Sequence, residues 1–387
     1  MENSTSIASQ LQESFQQFMS FTSFSSISWG HVILICLGLA LIYLAIVKER
    51  EPLLLIPIGF GVIIGNVPLP QGLQIGVDYQ GSVLNQLHYG LTHGLYPALI
   101  FLGLGAMTDF SSIISNPKLI LIGAFAQLGI LASFLISASF GLTPAEAGTI
   151  GMIGSANGPV AIFLSSKLTP DILGSIAITT YIFMALVTVL QPPMMKLLTT
   201  RKERLIKMKP PRQVTQLEKV LFPVFGLLLT AFVVPAALPL LGMLFFGNLL
   251  KESAVTKRLA ETAKGPMIDI ITILIGFTVG ISVQASIFSS NKILWIVLVG
   301  AISFVVSTVI GIIFVKTLNI FLKPDNKINP LIGNAGVSAV PDSARASQIV
   351  GLEYDKNNHL LMHAMGPNVA GVIGSAIAAG LLISFLG

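Results

Sequence analysis

The sequence predicts an all-α polytopic membrane protein: two inverted repeats, each of about five transmembrane helices plus one re-entrant hairpin. Three observations carry this reading. Of 387 residues, 53% are hydrophobic and only 10% charged, with a mean hydropathy of +0.84, whereas an ordinary soluble domain is about a quarter charged. Lys and Arg gather in a few loops, which marks the loops that share the cytoplasmic face. Finally, one similar interruption breaks the apolar pattern in each half: Ile153-Gly154-Ser155-Ala156-Asn157-Gly158-Pro159, and Ile332-Gly333-Asn334-Ala335 running on through Pro341-Asp342-Ser343-Ala344-Arg345.

Residues 1–30 form an extracytoplasmic N-terminal segment. It is rich in Ser and Gln and lacks the early basic residues of a signal peptide; the spacing of Leu11, Phe15 and Phe18 also suits a short interfacial helix. Apolar segments of spanning character follow near 31–47, 53–66, 95–108, 119–140, 172–193, 219–238, 239–250, 267–284, 293–315 and 360–385. The loop 196–218, with Lys196, Arg201, Lys202, Arg204, Lys207, Lys209 and Arg212, is a basic cytoplasmic linker. Lys48 and Arg50, then Lys251 to Lys264, then Lys316 to Lys327 mark three further inside turns. The chain therefore sits in the inner (cytoplasmic) membrane with its N-terminus outside.

Counting crossings between those fixed points leaves room for hairpins only at the two interruptions. Repeat 1, residues 31–195, carries a hairpin at 148–168 entering from outside. Repeat 2, residues 219–387, carries one at 328–350 entering from inside. Their tips then approach one another near mid-membrane, the arrangement of transporters with inverted repeats. Ser115-Asn116-Pro117-Lys118 and Ser290-Asn291-Lys292 precede the spans leading to the two hairpins on opposite faces, a second echo of the repeat.

At the first tip, Gly154, Gly158 and Pro159 open the backbone, while Ser155 and Asn157 offer oxygen atoms suited to a weakly held monovalent cation such as sodium. Equally, Asn157 suits the N-cap of a half-helix starting at Pro159. At the second, Asn329, Ser338, Asp342, Ser343 and Arg345 cluster around Gly333 and Gly336. The Arg345 fork matches a carboxylate or carbamate; alternatively it pairs with Asp342, three residues away. Asp109 and Asp269 stand at span ends and suit capping, and Tyr181, Phe183 and Met184 suit packing. Asn368, in an interruption of the last span beside His363, is a further oxygen ligand. The five histidines show no metal-ligand spacing, Cys36 is the only cysteine, and the positive charge marks loops rather than a nucleic-acid surface. On residues alone, a secondary carboxylate transporter remains open, and so does a scaffold.

The motifs resemble a known family. Gly105-Ala106-Met107-Thr108-Asp109-Phe110, Gly158-Pro159-Val160-Ala161-Ile162-Phe163, Gln191-Pro192-Pro193, Phe246-Gly247-Asn248-Leu249-Leu250, Asn329-Pro330-Leu331-Ile332-Gly333 and Leu360-Leu361-Met362-His363-Ala364-Met365-Gly366-Pro367-Asn368 are similar to runs in the beta subunits of sodium-pumping biotin-dependent decarboxylases. The likeness covers nearly everything after residue 30. It implies a translocase subunit that decarboxylates carboxybiotin, consumes a proton and exports sodium. The implied partners are an alpha subunit that transfers carboxylate to a carried biotin, a small gamma-type membrane subunit, and further copies of the chain in a trimer. It implies that Asn329, Gly333, Ser338 and Arg345 serve sodium binding and coupling. Joined to the reading of the residues, the expected sodium ligands are Asn157, Asn329, Gly333, Ser338 and Asp342, with catalysis by Ser338 and Arg345 and carboxybiotin binding by Arg345, Ser338 and Asn368.

Two positions depart from that family. Its first-hairpin motif typically reads Gly-Gly-Ala-Asp-Gly-Pro, with an Asp central to coupling where this chain has Asn157, and it has a Tyr where this chain has Phe183. Asp342, meanwhile, stands where an apolar residue is expected. Either the site carboxylate has moved between tips, or the ion coupling of this member is altered.

Overall fold

The computed structural model describes residues 2–49, 51–70, 73–285 and 292–387. Arg50, Ser290 and Asn291, used above, lie outside the described residues. No strand occurs among those described; the elements are α-helices, 3-10 segments and one π-helical turn, Ala263–Met267. In chain order they are α1 (Glu2–Phe21), α2 (Trp29–Val47), α3 (Pro52–Gly65), α4 (Val83–Thr92), α5 (Leu95–Met107), α6 (Ser111–Ser115), α7 (Lys118–Ala126), α8 (Leu128–Ser139), α9 (Pro144–Met152) and α10 (Gly158–Leu168). They continue with α11 (Leu173–Leu198), α12 (Arg201–Arg204), α13 (Gln216–Val233), α14 (Leu238–Glu252), α15 (Lys257–Thr262), α16 (Ile268–Ile281), α17 (Lys292–Phe321), α18 (Asp342–Tyr354) and α19 (Leu361–Leu386).

Every predicted apolar segment falls on a helix. Among the described residues, seven helical stretches are long and apolar enough to cross a membrane: Trp29–Val47, Lys118–Ser139, Pro170–Leu198, Gln216–Val233, Lys257–Ile281, Ile293–Phe321 and Leu361–Leu386. An eighth crossing needs α4 and α5 taken together, a pair bent by 60°. The bend was not anticipated from sequence: Gly94, at φ +76°, turns the chain where a side-chain-bearing residue would be strained. Two Pro-led breaks explain other boundaries. Pro235 separates α13 from α14, and Pro144 opens α9 with Thr143 and Glu146 in a reciprocal cap.

The chain divides into two compact units, Met1–Gly90 with Ile273–Asn291, and Leu91–Thr272 with Lys292–Gly387. In the first, α2 packs on α3, and Gly61 of α3 meets Gly280 of α16 so closely that a Cβ on either would strike the other helix's backbone. Small residues permit such backbone contact where apolar burial gives no drive between helices in lipid. The second unit holds α5, α9 to α11, α14, α17 and α19 around one apolar core that includes Phe101, Ile153, Val160, Ile176 and Leu240, while Ala344 and Val350 of α18 join a second core with Ile312 and Leu331.

Both interruptions lie inside that second unit. Residues 147–165 and 328–339 are buried without a gap. Irregular backbone at membrane depth is tolerable only when protein or a wet cavity satisfies its polar groups, and here protein does so.

Candidate functional site

The first interruption runs from α9 through a 3-10 turn (Ile153–Ser155) to α10. Ala156 takes the left-handed conformation, φ +47°, an unfavourable state for a residue with a Cβ, costing on the order of 1–2 kcal/mol. Asn157 follows as the N-cap of α10, its Oδ1 accepting the Val160 N–H at 3.4 Å, and Pro159 occupies the first turn, where a missing N–H costs nothing. The capping reading of Asn157 is thus realised. Its amide nitrogen has a second use, donating to Ser375 Oγ at 3.1 Å.

The second interruption begins with Asn329, whose Oδ1 accepts the Leu331 N–H at 3.0 Å and starts a 3-10 segment, Pro330–Gly336. The Asn329 amide donates at 2.9 Å to the carbonyls of both Arg204 and Ile206. Asn358 reaches the same two carbonyls. Asn329 therefore fastens the basic linker to the base of this segment and lies apart from the Ser155–Ser338 contact. Gly333 lies against Gly311 of α17 with no space for a Cβ on either. Three successive carbonyls are then capped by side-chain amides: Asn368 donates to Ala335 O at 3.1 Å and Val337 O at 3.0 Å, and Gln127 donates to Gly336 O at 2.9 Å. Leaving one such carbonyl bare would cost about 1–3 kcal/mol.

The two interruptions meet. Ser155 O accepts from both Ser338 N–H and Ser338 Oγ, each at 2.9 Å. Ser338 Oγ stands 3.4 Å from Ser375 Oγ, the same hydroxyl that accepts from Asn157. Ser375 spends its own proton on Val372 O at 3.0 Å, and Ser338 spends its proton on Ser155 O, so Ser375 accepts from Asn157 and abuts Ser338. The seam is thus lined by serine, asparagine and backbone oxygens and contains no carboxylate among the described residues. Nearby, Asn368 Oδ1 and Gln127 Oε1 are buried and have no hydrogen-bond partner.

Asp342 and Arg345 lie at the start of α18. Their side chains pair at 3.1 Å, with Arg345 62% and Asp342 16% exposed, so the simple helical pairing foreseen from their spacing is present. Asp342 also sits in the first turn of its helix, where a negative charge is favoured. Asp109 accepts the Ser111 N–H at 2.9 Å, two residues before α6, whose N-cap position is held by Phe110. Phe183 stacks on Phe304 with centroids 6.1 Å apart, and the Tyr181 ring rests on Gly158.

Sequence reasoning missed a second buried polar group. Asn334 donates to Gln191 Oε1 at 2.7 Å and to Ser343 O at 2.9 Å, while Ser347 Oγ donates to Asn334 Oδ1 at 2.6 Å. Gln127 and Ser375 were missed as well. The available signal was an amide or hydroxyl standing within an apolar span, which by itself marks a site of interest in a membrane helix.

Fold and site define an integral membrane protein whose two broken helices are joined through buried oxygen-bearing side chains. A sequence-family profile described as Na+-transporting oxaloacetate decarboxylase beta subunit matches residues 30–386, and the chain belongs to that family. It is 46% identical over 390 residues to the methylmalonyl-CoA decarboxylase subunit beta of Propionigenium modestum, covering 96% of this chain and 98% of that one. To the glutaconyl-CoA decarboxylase subunit beta of Acidaminococcus fermentans it is 44% identical over 367 residues, covering 95% and 96%. The oxaloacetate decarboxylase beta chain of Klebsiella pneumoniae is 44% identical over 414 residues, covering 92% and 95%. The resemblance read from the motifs is borne out.

Proposed function

We propose that this chain is the membrane subunit that decarboxylates carboxybiotin, carried by a partner subunit, and couples that step to outward sodium movement. The observation supporting it most directly is the Ser155–Ser338–Ser375 seam, where two interrupted segments share buried oxygen ligands. The two halves act as inverted repeats about that seam, with α9–α10 as one hairpin and residues 328–350 as the other. In the inner membrane, with the N-terminus outside, the basic linker faces the cytoplasm, where a biotin carrier and carboxyltransferase alpha subunit would dock. A gamma-type subunit and a homotrimeric assembly complete the reading.

In this scheme sodium is the cargo. Ser338 Oγ, Ser375 Oγ, Asn157 and the unpartnered oxygen of Asn368 are its candidate ligands, all neutral. Uncharged oxygens suit a hard monovalent cation that must also leave. Gly333 and Asn329 contribute by holding the second segment in place. Arg345, exposed at the mouth, offers its fork to the carboxylate of carboxybiotin, with Asp342 orienting it; Ser338 links that mouth to the cation seam. The proton consumed when carbon dioxide leaves enters from the same face.

A second reading has its own support: because no carboxylate lines the seam, this member moves sodium with altered stoichiometry, or moves another cation. Reconstitution with the partner subunits decides between them. Carbon dioxide release from carboxybiotin that rises with sodium and builds a sodium gradient is expected. Release without any sodium gradient favours altered coupling. Uptake of a labelled dicarboxylate by this chain alone, without carbon dioxide release, overturns both in favour of a carboxylate transporter.

A further inference from the structure

Two adjoining clefts open on the face of the second unit that carries the basic linker. One has a volume of about 310 Å³ and is bordered by Lys118, Lys209, Lys327 and His363. The other, about 340 Å³, is mainly apolar, lined by Leu104, Met107, Met365 and the Val340–Pro341 pair that leads into α18. They share Ser112, Pro211, Arg212 and Met362, so they form one continuous groove with a basic end and an apolar end.

The charges at the basic end are largely uncommitted. Arg212 is held by Glu218 at 2.6 and 3.1 Å. Lys209 reaches only the neutral Asn326 Oδ1, at 3.2 Å. Among the described residues, Lys118 and Lys327 make no ion pair, and no carboxylate borders this cleft. Three exposed ammonium groups around one concavity repel one another, which raises the local attraction for an anion. At the waist, Ser112 Oγ is covered and has no hydrogen-bond partner; an anionic oxygen placed there would accept its proton. The apolar end contains one acid, Asp109. Burial there pushes its carboxyl up, but the hydrogen bonds from Ser111 and the nearby Lys219 and Lys251 outweigh that and hold it below the usual range, so its charge is answered from its own surroundings.

We infer that this groove is a capture site for an amphipathic carboxylate: the anionic group rests among Lys118, Lys209 and Lys327 with Ser112 donating, and an apolar ring lies along Met362 toward Val340 and Pro341. Resting on the proposed function, the ligand is the carboxylated biotin ring before it reaches Arg345. The groove acts ahead of the chemical step, by raising the encounter rate and holding the ring.

The test uses the full chain in neutral-lipid nanodiscs, with free radiolabelled carboxybiotin and, in parallel, uncarboxylated biotinyl-lysine. Equilibrium binding and carbon dioxide release are followed from low to high ionic strength. Carboxybiotin binding by the unaltered chain should weaken roughly tenfold or more as salt is raised, the signature of electrostatic capture. The triple variant K118Q/K209Q/K327Q should bind carboxybiotin at least tenfold more weakly at low salt and lose that salt dependence. Ser112→Ala should weaken binding without changing the salt slope, and Lys257→Gln, at the start of α15 and outside the groove, serves as the control. The three single lysine variants replace the triple one if it fails to assemble. Unchanged carboxybiotin affinity and salt slope in the lysine variants overturn the inference. So does a response seen only when phosphatidylglycerol is present, which would make the groove a lipid-headgroup site. If the unaltered chain binds carboxybiotin in this salt-dependent way yet releases no carbon dioxide, the proposed function fails and the groove stands.

Discussion

One hydroxyl, Ser375 Oγ, accepts from Asn157 and faces Ser338, so much of the seam's chemistry can be read at a single atom. Ser375→Ala removes an acceptor from a fully buried amide, and the cost is that of an unsatisfied donor, about 1–3 kcal/mol. Thermal unfolding in detergent should show that loss, and sodium titration of decarboxylation should show a raised half-saturation; Ser375→Thr, keeping the hydroxyl, should restore both. Asn157→Asp supplies the seam with a charge it lacks. Its sodium half-saturation should fall, and an unchanged sodium response would remove Asn157 from the cation site. Asp342→Asn tests relocation of the carboxylate to the second tip. Because the Asp342–Arg345 pair is largely exposed on the arginine side, its removal should change stability by less than about 1 kcal/mol. An unaltered sodium response there would assign Asp342 to Arg345 alone.

Among elements, the 3-10 segment Pro330–Gly336 depends on close backbone contact. Gly333 meets Gly311 of α17 without space for a Cβ, so Gly333→Ala must part the two, an overpacking cost of about 1–3 kcal/mol. A lowered unfolding temperature with weakened sodium dependence is expected. Unchanged values of both would show that the segment is not held there. The positions of the elements were legible because apolar length and Gly-Pro interruptions are local signals. The α4–α5 bend was not, since a single Gly94 in a polar stretch looks like any loop glycine. The job of Asn329 was likewise hidden. Its partners are carbonyls of Arg204 and Ile206, more than a hundred residues away in sequence, and a carbonyl leaves no mark on residue type. The pairing of Asp342 with Arg345 and the cap at Asn157 were legible, because each is decided within one helical turn.

At the scale of the whole molecule, the basic linker is tied to both ends of the second interrupted region and to α17. Arg204 donates to the carbonyls of Lys196 and Thr199, and its guanidinium lies 4.6 Å from the Tyr354 ring centroid. Glu203 pairs with Lys316 at 3.3 Å. Burial pushes the Glu203 carboxyl up, but hydrogen bonds from Thr200 and the Lys316 charge outweigh it and hold it below its ordinary value of 4.5. A carboxyl depressed in the folded state stabilises fully above its unfolded value and loses that contribution as pH falls through the lowered one. Hydrogen-exchange protection across residues 199–206, corrected for the intrinsic rate at each pH, should therefore fall as pH drops below 4.5, and Glu203→Gln should remove that acid step.

The seam also sets an order of events during synthesis. Asn157 and Ser375 are 218 residues apart, so at 5–20 residues per second the first interruption waits roughly 10–45 s for its partner. While translation continues, the Asn157 amide and the Ser155 carbonyl must be served by water or by the insertion machinery. A ribosome-bound chain arrested before α19 should therefore leave Ser155 and Asn157 open to thiol labelling as cysteine variants, and a chain extended until α19 has emerged should close them.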